Sequence, residues 1–120
     1  MSVATTPLIV LSLITVAPAP RPPMSGFMNA ERLIEHCRPG ENTDVGMADV
    51  CLGYIAGSVD QLLSTQAQLP QNKRTICLAP TTTIGQIQRA VIADLDMFEA
   101  EPNVAAAVLV ERSMTAAFPC

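Results

Sequence analysis

The chain has no tryptophan, one tyrosine and three phenylalanines in 120 residues. So few flat side chains exclude an aromatic stacking platform for single-stranded nucleic acid. Basic residues are scarce too: seven Lys and Arg against eleven Asp and Glu leave a net charge of −4. No basic cluster remains to neutralise a phosphate backbone, so a nucleic-acid partner is not expected. The single histidine, His36, abuts Cys37, and no C-x-x-C pair occurs, which leaves a tetrahedral zinc site without its ligands. No phosphate loop, nucleophile elbow or H-E-x-x-H motif is present.

Catalytic pairs fare no better. On a helix, the side chains of His36 and Cys37 diverge by about 100°, and His36 reads instead as a charge partner for the helix C-terminus. Asp94, Asp96, Glu99 and Glu101 cluster at a helix end and read as a solvated face. The chain is therefore expected to be no enzyme, with no metal and no cofactor. Stable membrane insertion is not expected either. The uncharged run Leu8 to Val16 falls well short of the ~20 apolar residues that span a bilayer. It matches the apolar core of a secretory signal, and Ala17-Pro18-Ala19 fits a small-x-small cleavage pattern. No Lys or Arg precedes the run, and Pro20 follows it directly. The expected organisation is a signal at 1–19, a Pro-rich linker at 20–26 and a helical domain at 27–120.

What is present is sulfur and helical periodicity. Cys37, Cys51, Cys77 and Cys120 make an even set in a short chain, the usage of an oxidising compartment. With aromatics so few, the core must come from Leu, Ile, Val, Ala and Met, and cross-links would support a domain of this size. Four segments show helical spacing. The first, around Ser25 to Cys37, aligns Met28 or Ala30 with Leu33, Ile34 and Cys37, and Arg38-Pro39-Gly40 ends it. The second, capped by Asp44 and running to about Gln66, aligns Met47, Val50, Cys51, Tyr54, Ile55, Ser58 and Leu62. The third follows the capping cluster Thr81-Thr82-Thr83 with Ile84, Ile87, Val91, Leu95 and Phe98. The fourth opens at Pro102 and aligns Val104, Ala107, Val108, Glu111 and Met114. The fold class is all-α, a small four-helix domain stapled by two disulfides.

Within the second segment, C-L-G-Y-I-A-G-S-V-D runs from Cys51 to Asp60. Each helical glycine costs about 1 kcal/mol relative to alanine, so Gly53 and Gly57 imply a notch that a neighbouring helix of the same chain fills, with a partner pressing into it as the alternative. Asp60, three residues on, is expected to accept a hydrogen bond from Tyr54 or a nearby backbone amide, with plain exposure or a partner contact as the alternatives.

This motif resembles the C-x-G-Y-I-x-G-x-x-D pattern of the Rap/Tai immunity proteins of type VI secretion systems. The resemblance extends over Phe27 to Cys120. It includes Leu33 to Cys37, the Cys77–Pro80 lead-in, Pro102 and the ending Ala117-Phe118-Pro119-Cys120. Two departures are Ala79, inserted before Pro80, and Glu101, where relatives often have His. The motif positions are thus Gly53, Tyr54, Ile55, Gly57, Asp60, Phe118 and Pro119. The resemblance implies an exported, all-helical periplasmic protein, often dimeric, that inhibits a cell-wall amidase effector by occluding its active site in bacterial competition. An acid-stress chaperone or an envelope structural subunit is the alternative. Partner contacts are expected on two polar loops, at Glu41, Asp44 and Asp49 and at Gln68, Gln71 and Asn72. Four cysteines admit three pairings, of which Cys37–Cys51 and Cys77–Cys120 are favoured. The first would clip the first two helices, the second would tie the third helix's start to the C-terminus. On the chain-entropy model the two loops contribute about 3 and about 4 kcal/mol.

Overall fold

The computed structural model describes residues 1–20, 26–38 and 45–120, with Val45–Met47 described by their backbone alone. Five α-helices occur among the described residues: α1 (Ala30–Cys37), α2 (Val45–Ala67), α3 (Ile84–Ala93), α4 (Leu95–Phe98) and α5 (Ala106–Ala117). A 3-10 turn, Gln71–Lys73, links α2 to the approach to α3. No strand forms among the described residues, only two isolated bridges. Residues 1–20 are exposed and without regular structure, and no described helix is long and apolar enough to cross a membrane.

α2, about 34 Å long, packs against α1, α3 and α5. Its buried positions Cys51, Ile55 and Val59 follow the i, i+4 repeat and meet Leu33 of α1, Val91 of α3 and Leu109 and Met114 of α5 in one core. The expected stripe is therefore rotated slightly. Val59 replaces Val50, which is exposed. Phe98 is the one aromatic residue that is fully buried, while Tyr54 and Phe118 are half-buried against the core and Phe27 is 96% exposed. The helical body thus begins just after Phe27.

Local chemistry explains most boundaries. Asn29 caps α1, its Oδ1 accepting the Arg32 N–H at 3.0 Å. α1 thereby starts later than Ser25. Thr83 caps α3 in a full capping box: its hydroxyl accepts the Gln86 amide at 3.2 Å, and the Gln86 side chain accepts the Thr83 amide at 2.9 Å.

Three expectations are corrected by tertiary demand. The third segment is divided at Asp94, whose backbone sits at φ −97°, ψ 1° between α3 and α4. The break keeps Leu95 and Phe98 buried and brings α4 against α1, where Arg38 pairs with Asp96 at 3.0 Å and with Glu99. Pro102 does not open the last helix, which begins at Ala106. The intervening backbone serves α1 instead. The N–H groups of Ala30 and Glu31 donate to Val104 O (2.9 Å) and Pro102 O (3.1 Å), satisfying free amides of α1's first turn. α5 also turns a different side inward. Ala106, Leu109, Val110, Ser113 and Met114 are buried, whereas Ala107, Val108 and Glu111 are exposed. The bulkier Leu109–Val110 pair takes the core, and of the expected stripe only Met114 is fully buried.

Both disulfides form as favoured. Cys37–Cys51 joins the end of α1 to α2 inside the core, with Cα atoms 5.0 Å apart. Cys77–Cys120 lies at the surface, its Cα atoms 4.8 Å apart. Beside it Ile76 pairs with Pro119, and the Cys77 N–H donates to Phe118 O at 2.9 Å. The chain end is thus held by backbone pairing and a covalent bond together.

Candidate partner-binding surface

The motif of α2 divides between its two sides. Cys51 and Ile55 face the core and Tyr54 flanks it, whereas Gly53, Gly57 and Asp60 face outward. Among the described residues, a Cβ added at Gly53 or at Gly57 would meet nothing within 4 Å. The expectation that a neighbouring helix fills this notch is therefore wrong: the bare backbone opens to solvent. Asp60 is exposed and makes no hydrogen bond among the described residues, so it locks no part of the described fold.

The expected contact residues do not converge on one spot. Glu41 and Asp44 lie outside the described residues. Asp49 is exposed near the start of α2, and Gln68, Gln71 and Asn72 are exposed beyond its end. From 49 to 68 the helix rise alone separates them by roughly 28 Å. The second group sits on a braced loop. Gln66, nearly buried, accepts the Thr75 N–H at 2.8 Å, and its amide donates to Thr75 Oγ1 at 3.2 Å. Arg74 donates to the carbonyls of Leu69 (3.1 Å) and Ala67 (3.3 Å), capping the end of α2. Gln66 is thus a structural anchor inside what reads as a polar loop. Its signal in the sequence is only its helical register with Ile55, Val59 and Leu62.

At the C-terminal end, Phe118 packs half-buried on the core and Pro119 is exposed beside the outer disulfide. His36 lies in the last turn of α1, as expected, with a buried Nδ1 that has no hydrogen-bond partner among the described residues.

A concavity that the sequence does not announce lies between α4 and α5. It encloses about 290 Å³, with Phe98, Leu109 and Ser113 at its base and Met97 and Ala116 along its sides. Asp94 and the ion pair between Arg112 and Glu101 (2.5 Å) rim it. No group of three or more His, Cys, Asp or Glu among the described residues could hold a metal ion.

The helical body with its two staples coincides with the span of a known family profile: residues 29–120 match that of the Rap1a immunity proteins. The chain belongs to the Rap1a immunity protein family. No curated protein and no solved structure matches it. As a Rap1a-family member it belongs to a class of toxin-binding inhibitors that perform no catalysis. Its functional residues are then those that shape a surface for a protein.

Proposed function

We propose that this Rap1a-family chain is an exported immunity protein that neutralises a peptidoglycan amidase toxin by covering its active-site cleft. The observation that carries the reading is the family match across the whole helical body. Export to the periplasm is supported by two disulfides, which persist in oxidising compartments. It is also supported by the exposed apolar run Leu8 to Val16, which has the composition of a secretory signal. A net charge of −4 favours a partner that presents basic groups. Asp49, Gln68, Gln71 and Asn72, with Glu41 and Asp44, are the proposed contacts outside the α4–α5 concavity, and self-association as a homodimer belongs to the same reading.

The test is a protection assay. Cells directing the proposed amidase toxin to their periplasm should survive when they also produce the full chain. They should lyse when the chain lacks residues 1–19, because inhibitor and toxin then occupy different compartments. Lysis in both cases would overturn the reading, and equal survival in both would remove export from it.

A further inference from the structure

The concavity between α4 and α5 has three features that together specify what fills it. The first is Ser113. It is 2% exposed, and its Oγ has no hydrogen-bond partner among the described residues. A helical serine commonly bonds the carbonyl four residues earlier. This one does not, so a buried hydroxyl at the base of the cavity is left with both donor and acceptor capacity.

The second is an uncovered apolar wall. Met97 is 64% exposed beside a fully buried Phe98, with Ala116 across the groove. The third is charge. Glu101 on the rim is held by Arg112, whereas Asp94 forms no ion pair among the described residues. An occupant must therefore be apolar along its length, donate a hydrogen bond and bring positive charge. The volume, about 290 Å³, lies at the lower limit of small-ligand pockets and suits one side chain better than a cofactor. Lysine and arginine combine an aliphatic stem with a cationic, donor-only head.

We propose that the groove between α4 and α5 receives a lysine or arginine side chain of the partner protein. Its stem lies against Met97 and Phe98, and its head donates to the Asp94 carboxylate and, as the groove opens around it, to Ser113 Oγ, which is sealed in the free chain. The proposal rests on the reading of this chain as a toxin-binding protein and adds a location and a residue type to it. The unpaired hydroxyl then has a purpose, since binding supplies the partner that folding withholds.

The test uses the full chain and three probes: the acetylated methylamides of lysine, arginine and norleucine. In an amide-resolved NMR titration, the two basic probes should give saturable shifts at Met97, Phe98, Ser113 and Ala116. Asp94→Asn should weaken them at least fivefold. Ser113→Ala should melt about 4–8 °C higher, having lost a buried unpaired hydroxyl, yet bind the basic probes about threefold more weakly. A serine with a merely structural role would leave binding unmoved. Absent shifts, or shifts indifferent to Asp94→Asn, overturn the proposal. Equal shifts with norleucine overturn the charge requirement, and the same shifts on diluting the protein alone would show that a second copy occupies the groove. Failure here leaves protection against the amidase intact. Failure of protection with the probes still binding refutes the function and not the groove.

Discussion

The inner side of α2 places Cys51, Ile55 and Val59 in the core, while its outer side, a half-turn away, presents Gly53, Gly57 and Asp60 to solvent. One ten-residue motif thus contains two kinds of constraint. The inner residues are fixed by packing and by the bond to Cys37. The outer ones are fixed by nothing inside the described chain, since no atom approaches a Cβ built at either glycine. Two glycines that each cost about 1 kcal/mol of helix stability, with no internal return, leave a smooth backbone face on the surface of a binding protein.

Substitutions can break this contrast or sharpen it. The largest effect should come from Cys37→Ala with Cys51→Ala. It removes a constraint worth about 3 kcal/mol on the chain-entropy model and leaves space where two buried sulfurs packed. A total loss of about 4 kcal/mol, read by urea unfolding, would be much of a small domain's stability. Ile55→Ala should follow at about 3 kcal/mol, because its side chain is fully buried in the centre of the core. Outer-side changes should have the opposite sign. Gly53→Ala and Gly57→Ala should each raise the melting midpoint by about 4–8 °C, from roughly 1 kcal/mol of regained helix propensity. A fall instead would mean that something closes on that face in solution, and the two sides of α2 would then be alike.

The sequence made the inner side legible because burial leaves a periodic trace: the spacing of Cys51 and Ile55 points the same way in the chain and in the fold. Helix starts at Asn29 and Thr83 likewise follow local capping chemistry, though Asn29 is plain only once α1 is seen to begin at Ala30. Illegible features depend on distant partners. The break at Asp94 has neither proline nor glycine to announce it and follows from α4 settling against α1. Pro102 resembles a helix start, yet its carbonyl is taken by the Glu31 amide across the molecule. On α5 several apolar residues could have faced inward, and only packing chooses Leu109 and Val110 over Val108. The α4–α5 groove was invisible for the same reason: a serine between charged and apolar neighbours says nothing about whether its hydroxyl finds a partner.

The pairing of the cysteines was legible, but the contrast in their surroundings was not. Cys37–Cys51 is sealed in the core, and Cys77–Cys120 stands at the surface beside the Ile76–Pro119 bridge. The body is therefore held covalently at its centre and at its end, which suits a protein that must present a fixed surface with few aromatic side chains to stiffen it.

The central claim is most directly tested by titrating the purified, oxidised chain into the amidase toxin proposed as its partner while following peptidoglycan cleavage. Inhibition by occlusion predicts that activity falls in proportion to added protein and reaches zero at one binding site per enzyme. Full cleavage in the presence of a tenfold excess would contradict it.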